Sequence, residues 1–259
     1  MASIIPTVTT ACTTVQTVID NLCPPLPLPP ASLRFTHVHY NDADPWAHIM
    51  AWISLAPQTL CIVYLTLIFS RREIETIILF AGQLASEVAN HILKRILREE
   101  RPKYGTMGDR DSLGFGLPSA HAQFMAFYTT YLCLWMFLRA HHFSAHKRSC
   151  RAIGLIVLTV IVSYSRVYLF YHTWKQVLLG LFVGTITGSG WFVISVAVRE
   201  LGILDRILDS APFRWFYVKD TSHYRSFVRD EFEQWSVGRI TYLTYFSSQR
   251  YYVLERKLR

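Results

Sequence analysis

Five long apolar segments constrain the fold of this chain more than any other feature of its sequence. Each is close to the roughly 20 residues that an α-helix needs to cross about 30 Å of hydrocarbon. Backbone groups in lipid must bond to one another, and the segments lack the alternation typical of strands. The sequence therefore predicts an all-α fold, a polytopic membrane bundle of about five transmembrane helices. The segments cover residues 47–69, 74–97, 120–139, 152–170 and 176–198.

The net charge of +8 does not indicate a nucleic-acid partner. Only 17% of the residues are charged while 51% are hydrophobic, which is the balance of an integral membrane protein. The basic residues are scattered between apolar segments, and no nucleic-acid motif is present. Cytosolic loops and an anionic substrate explain the charge better.

Three regions follow from this pattern. Residues 1–32 are rich in Thr and end in a proline-rich stretch, which predicts a flexible N-terminal tail and makes a signal peptide unexpected. Residues 33–200 hold the apolar segments and form the predicted transmembrane domain. Residues 201–259 mix charges with aromatics and predict a cytoplasmic or interfacial tail.

Two groups of histidines invite a metal interpretation. His37, His39, Asp42 and Asp44 precede the first apolar segment, and further histidines occupy residues 141–146. Neither spacing matches a known metal motif. We interpret the first group as a polar lead-in to the membrane and the second as a solvated basic loop.

The loops predict the orientation. Residues 70–73 and 139–151 are basic and, by the parity of the segments, lie on one side of the membrane, which the positive-inside rule assigns to the cytosol. Residues 94–118 and 171–175 then share the opposite side. Residues 94–118 are also basic, so this orientation depends on treating their charges as phosphate ligands.

An arginine and a histidine stand where the fourth apolar segment ends. Arg166 carries a permanent cation whose fork suits phosphate oxygens, and burying it there is costly unless an anion accompanies it. His172 is a potential nucleophile for phosphorus. Gln176 lies one helical turn further, and its amide oxygen can accept a hydrogen bond from the other ring nitrogen, without contributing charge. The stretch indicates an anion site with a reactive histidine.

The second apolar segment carries polar residues along one helical face. Glu87, Asn90, His91 and Lys94 have the spacing i, i+3, i+4 and i+7. For Asn90 and His91, hydrogen-bonded packing inside the bundle is the favoured interpretation. Lys94 lies at the end of the segment, and Arg101 follows it before a helix-stopping proline, so these two cations are candidates for anion binding.

The third apolar segment begins with Ser119, Ala120 and His121, directly after Pro118. A helix starting here would direct its unpaired amides and positive dipole end at an anion. The Ser119 hydroxyl can donate to it, and His121 can exchange a proton near neutral pH. Taken alone, these residues fit a capped transmembrane helix with an interfacial histidine better than a phosphate site.

Three fragments together resemble the signature of the type 2 phosphatidic acid phosphatase (PAP2) superfamily. They are Lys94-x6-Arg101-Pro102, Pro118-Ser119-Ala120-His121 and Ser165-Arg166-x5-His172. Residues 163–174, 116–125 and 36–38 further resemble the dolichyl-diphosphatase branch of the endoplasmic reticulum. The similarity covers roughly residues 33–200, which the resemblance makes the catalytic domain.

The resemblance implies a phosphohistidine intermediate, with His172 as the nucleophile, His121 as the general acid and base, and Gln176 orienting His172. It implies no metal or other cofactor, because a cage of cations surrounds the phosphate oxygens where charge spreads during transfer. The implied phosphate ligands are Lys94, Arg101, Ser119, Ala120 and Arg166.

The chain departs from the superfamily pattern at two positions. Ala120 stands where glycine, or serine in this branch, is usual, which is tolerable if the helix start needs no positive φ. Gln176 replaces a common aspartate, as it also does in the dolichyl branch. The second departure raises the question of how the imidazolium formed on phosphorylation is stabilised.

The implied substrate is dolichyl diphosphate at the lumenal face of the endoplasmic reticulum membrane, with dolichyl phosphate recycled for protein N-glycosylation. Membrane lipids surround the chain, and no oligomeric state is indicated. The alternatives are another lipid phosphate, such as phosphatidate, a sphingoid phosphate or a different polyprenyl diphosphate, and a non-catalytic lipid-binding protein or transporter.

Overall fold

The computed structural model describes residues 31–33, 38–102, 115–140, 143–222 and 227–258. Most of the predicted N-terminal tail, His37, His141 and His142 lie outside these residues, as does much of the basic loop after Lys94.

The described chain begins with a two-stranded antiparallel sheet, β1 (Ala31–Leu33) and β2 (Val38–Tyr40). Helices make up most of the rest, and Asp44 caps the first of them by accepting a hydrogen bond from the Trp46 amide at 2.9 Å. The helices are α1 (Pro45–Ile53), α2 (Ala56–Arg71), α3 (Ile74–Leu97), α4 (Ala120–Leu138), α5 (Ala145–Tyr168), α6 (Trp174–Glu200), α7 (Ile203–Leu208), α8 (Ala211–Trp215) and α9 (Phe227–Leu258).

The predicted all-α membrane bundle is confirmed. Among the described residues, four helical stretches are long and apolar enough to cross a membrane: Pro45–Arg71, which joins α1 and α2, together with α3, α5 and α6. The remaining predicted segment, the third in the chain at residues 120–139, is α4, which the other helices surround. Its Met125, Phe127 and Tyr131 side chains are at most 1% exposed, so α4 contacts protein where the other spans can contact lipid.

Helix α6 lies against the backbone of α4 along a row of glycines. A Cβ atom on Gly184 would stand only 2.3 Å from the carbonyl oxygen of Gln123. Small residues four apart on a transmembrane helix allow such close approach. The spacing of these glycines in the sequence is the signal that predicts the contact. Gly180, Gly184 and Gly188 face the carbonyl oxygens of Ser119, Gln123 and Phe127.

A buried polar network joins α3 to α4. The Asn90 amide donates to Gln123 Oε1 at 2.7 Å, and the Gln123 amide donates to the Ser86 carbonyl oxygen at 2.7 Å. The packing interpretation is therefore confirmed for Asn90. For His91 it is wrong, because this side chain lies on the exposed side of α3, 3.5 Å from Glu87. One helical position, about 100°, separates the two side chains.

The opposite end of the bundle is fastened by ion pairs. Arg199 of α6 binds Glu75 of α3 at 2.6 Å and also pairs with Asp220. Glu73 accepts a hydrogen bond from the Thr221 hydroxyl at 2.8 Å. The segment after α8 is thus bound to the start of α3, at the end of the bundle that holds the predicted cytosolic loops.

We expect Gly184→Ala to destabilise the protein by about 2 kcal/mol, because the new methyl group would overlap the Gln123 carbonyl and force α6 away from α4. Thermal unfolding of the purified protein in detergent measures the change. Gly190→Ala in the same helix is the matched control, since no atom lies within 4 Å of its added Cβ. Equal unfolding midpoints for the two variants would show that the close approach does not support the fold.

Candidate active site

Three parts of the chain meet at one end of the bundle. They are the end of α3 with the residues after it, the start of α4, and the turn between α5 and α6. The structure gathers there every site residue predicted from the sequence, and it adds two that the sequence analysis did not identify, Glu99 and Gly116. The predicted residues are Lys94, Arg101, Ser119, Ala120, His121, Arg166, His172 and Gln176.

The turn that carries His172 is built around one carbonyl. The Arg166 carbonyl oxygen accepts hydrogen bonds from the Tyr171 amide at 3.0 Å and the His172 amide at 3.2 Å. Phe170 adopts the left-handed conformation, with φ of 58°, and closes this turn. His172 therefore follows directly from the end of α5 and is 4% exposed.

Gln176 connects His172 to the start of α6. Its side-chain oxygen accepts from His172 Nδ1 at 3.1 Å and from the Thr173 amide at 3.3 Å. The Thr173 hydroxyl in turn accepts from the Gln176 amide at 3.3 Å, which completes a capping box. The spacing Thr-x-x-Gln in the sequence is the signal for this cap. Helix capping therefore fixes the same amide that bonds to His172.

The partners of Gln176 define the tautomer of His172. Gln176 Nε2 donates to the Glu100 carbonyl oxygen at 2.9 Å and to Glu99 Oε1 at 3.3 Å, so the oxygen of the amide faces His172. His172 Nδ1 must then carry the hydrogen. The lone pair lies on Nε2, which has no hydrogen-bond partner in the described part of the chain.

Three cations, Arg166, Arg101 and Lys94, lie near enough to His172 to affect its charge. Arg166 is 5% exposed, and its guanidinium carbon lies 4.1 Å from the centroid of the Tyr171 ring. Lys94 and Arg101 are half-buried. Within the described residues, the buried atoms Arg166 Nε, Arg101 Nε and Ser119 Oγ have no hydrogen-bond partner. Such donors suit the oxygens of a phosphate group.

The start of α4 completes the site. Ser119 is the N-cap residue, and its amide donates to the Gln176 carbonyl oxygen at 3.0 Å. Ala120 has no positive φ, so its methyl group needs no unusual backbone. Gly116 passes so close that an added Cβ would lie 2.7 Å from Gln176 Nε2. The amides of the first turn of α4 are thus held beside His172.

His121 lies one residue into α4 and is half-buried. It is within electrostatic range of His172 and of the three cations. Its Nε2 atom lies 3.5 Å from the side-chain Nε2 atom of Gln58 in α2. The site therefore contains two histidines, of which one is fixed by Gln176 and the other stands at the helix start.

Burial lowers the pKa of His172, and the nearby charges of Arg166, Arg101 and Lys94 lower it further, to about 3. The hydrogen bond to Gln176 acts in the opposite direction. The imidazole is therefore neutral at physiological pH. A neutral imidazole with a free Nε2 lone pair can act as a nucleophile.

Comparison with known proteins finds a matching family, curated relatives and a solved structure of similar fold. The PAP2 superfamily matches residues 75–200. Dolichyldiphosphatase 1 of Homo sapiens is 35% identical over 74% of this chain and 84% of its own length, and the dolichyldiphosphatase of Saccharomyces cerevisiae is 35% identical over 72% and 79%. The crystal structure of a PAP2-type phosphatidylglycerolphosphate phosphatase from Bacillus subtilis covers 60% of this chain and 79% of its own, with a TM-score of 0.51. At 20% identity, that last similarity concerns the fold alone.

The fold and the matched region define a membrane phosphatase of the PAP2 superfamily. Within that superfamily the chain belongs to the dolichyldiphosphatase family, as its motifs predict.

The depressed pKa of His172 predicts a loss of stability in acid. Below pH 6.5 the unfolded chain binds a proton at this histidine while the folded protein does not. The free energy of unfolding therefore decreases as the pH is lowered. We expect the wild type to lose about 2 kcal/mol more than His172→Gln between pH 7 and pH 5. Thermal unfolding at both pH values measures this difference. The same loss in both proteins would contradict a neutral buried His172.

Proposed function

We propose that this phosphatase hydrolyses the terminal phosphate of dolichyl diphosphate, through a phosphohistidine formed at His172, and releases dolichyl phosphate and inorganic phosphate. The observation that carries the proposal is a buried histidine whose Nδ1 is bonded to Gln176 and whose charge is influenced by three nearby cations, Arg166, Arg101 and Lys94. The dolichyldiphosphatases of Homo sapiens and Saccharomyces cerevisiae support the choice of substrate.

In the first step, the Nε2 lone pair of His172 forms a bond to the terminal phosphorus. The bond between that phosphorus and the bridging oxygen breaks, and its electron pair passes to the leaving dolichyl phosphate. The negative charge of the bound diphosphate favours the protonated form of His121, which donates its proton to the bridging oxygen as that oxygen leaves. His172 keeps the hydrogen on Nδ1, which Gln176 holds, so the phosphorylated ring carries a positive charge.

In the second step, His121 accepts a proton from water, and the water oxygen bonds to the phosphorus. The N–P bond breaks, and its electron pair returns to Nε2 of His172. Inorganic phosphate leaves, and both histidines regain their starting protonation. The sum of the two steps is the addition of one water molecule to the diphosphate.

Lys94, Arg101 and Arg166 supply the charge stabilisation for both steps. Their donors, with the Ser119 hydroxyl and the Ala120 amide, would surround the equatorial oxygens of the transferred phosphoryl group. The buried unpartnered atoms on Arg101, Arg166 and Ser119 support this role. No step needs a metal ion.

We further propose that residues 33–200 form the catalytic domain, that residues 201–259 are cytoplasmic or interfacial, and that the site faces the lumen of the endoplasmic reticulum. The positive-inside rule supports this orientation, because the basic loops at residues 70–73 and 139–151 would be cytosolic. Dolichyl phosphate produced at the lumenal face would return to protein N-glycosylation.

We expect the purified wild type to release phosphate from dolichyl diphosphate faster than from dolichyl monophosphate or phosphatidate, with excess chelator present throughout. The chelator should not diminish the rate, because the cations of the site hold the phosphate. His172→Ala should remove turnover while the protein still folds and unfolds in one cooperative thermal transition.

Two outcomes would contradict this proposal separately. A preference for phosphatidate would overturn the substrate while leaving the chemistry in place. Steady-state phosphate release by well-folded His172→Ala would overturn the phosphohistidine mechanism.

The orientation predicts which end of the bundle a membrane-impermeant maleimide can reach in sealed endoplasmic reticulum microsomes. A variant with Cys150 as its only cysteine should be labelled without detergent, because this exposed residue lies near the start of α5 at the proposed cytosolic end. In a cysteine-free background, Lys175→Cys at the other end should be labelled only after detergent. The reverse pattern would place the site in the cytosol.

A further inference from the structure

Gln176 stands between His172 and a carboxylate. Its side-chain oxygen bonds to His172 Nδ1 at 3.1 Å, and its Nε2 atom lies 3.3 Å from Glu99 Oε1. A continuous chain of hydrogen bonds therefore runs from the imidazole through the amide to a negative charge. The sequence spacing does not indicate this contact, because Glu99 and Gln176 are 77 positions apart in the chain.

The end of α3 holds Glu99 in place. Arg98 takes the left-handed conformation with φ of 48° and turns the chain away from the helix axis. The Glu99 carbonyl oxygen then accepts from the Gly116 amide at 2.7 Å, and the Glu99 carboxylate pairs with Lys175 at 2.6 Å. The hydrogen bond from Lys175 lowers the pKa of the Glu99 carboxyl, and that from Gln176 adds to the effect. Glu99 is thus ionised and fixed.

A charge at this position has two effects on His172. It keeps the Gln176 amide from rotating, because a reversed amide would set its oxygen against the carboxylate and its NH2 group against Nδ1–H. It also polarises the amide, which makes the oxygen a stronger acceptor, since hydrogen bonds in series reinforce one another. Both effects favour the positively charged ring that phosphorylation produces.

We propose that Glu99 is a positioning residue that supplies, through the amide of Gln176, the negative charge that Gln176 itself lacks. The inference rests on the proposed function of His172 as the nucleophile. It concerns the transition state more than substrate binding, because Glu99 bonds to Gln176 and Lys175 and not to the cations that would hold the phosphate.

Glu99→Gln tests the charge with little change in shape. We expect kcat to fall about tenfold while KM stays within about twofold. Such a change is typical of residues that orient a reacting group through an intervening side chain and do not touch the substrate. An unchanged kcat would overturn the proposal. So would an equal loss in Lys175→Gln, which removes the ion pair but keeps the carboxylate, because the effect would then come from tethering.

A double-mutant cycle with Gln176→Glu provides the sharper test. The substitution keeps the length of the side chain and would set a second carboxylate against Glu99 in place of the amide, and two carboxylates in contact cannot both ionise readily. We therefore expect Gln176→Glu to lower kcat, and the added Glu99→Gln to raise it again about tenfold, since a new amide would face the new carboxylate. The effect of Glu99→Gln thus reverses its sign between the two backgrounds. The same fractional loss in both would contradict the charge role.

Glu200→Gln serves as the control for losing a paired carboxylate, because Glu200 lies 3.9 Å from Arg139 at the opposite end of the bundle. It should leave kcat unchanged. All variants are compared on the substrate that the wild type hydrolyses fastest. A wild type inactive on dolichyl diphosphate but active on another lipid phosphate would refute the proposed substrate alone, while an active wild type with an unaffected Glu99→Gln would refute only the role of Glu99.

Discussion

The close contact between the backbones of α4 and α6 determines where the other parts of the molecule can lie. Three glycines at intervals of four residues leave no room for a side chain between the two helices. In lipid, such contact depends on packing, since apolar surface gains little by leaving hydrocarbon. Asn90 and Gln123 add α3 to this pair through a buried hydrogen bond.

This contact also brings the halves of the site together. Gly180 lies against the carbonyl oxygen of Ser119, and one helical turn earlier the carbonyl oxygen of Gln176 accepts from the Ser119 amide. The start of α4, which offers amides and His121, is thereby fixed beside the turn that carries His172. The relative positions of the site residues are therefore set by the packing of α4 against α6.

The sequence predicts the apolar segments and the eight site residues because each depends on local pattern or on motif spacing. His91 was placed wrongly because a helical face that carries Asn90 inward carries its neighbour outward. The glycine spacing and the Thr173–Gln176 cap were visible in the sequence. The role of Glu99 was not visible in the sequence, because its contact with Gln176 depends on the left-handed conformation of Arg98 at the end of α3.

The electrostatics of His172 explain why an amide suits the position of Gln176. In the proposed mechanism His172 must be neutral before it attacks phosphorus, and burial together with three cations keeps it so. A carboxylate bonded directly to Nδ1 would favour protonation of the ring and reduce the fraction that can attack. After transfer, the ring is positive and needs a negative partner. A carboxylate placed one hydrogen bond further away, as Glu99 is, acts more weakly on the free ring, while the amide between them preserves its orientation. In the proposed intermediate, the dianionic phosphoryl group on Nε2 supplies the remaining negative charge. It stays beside the three cations and the positive ring, and so offsets their charge.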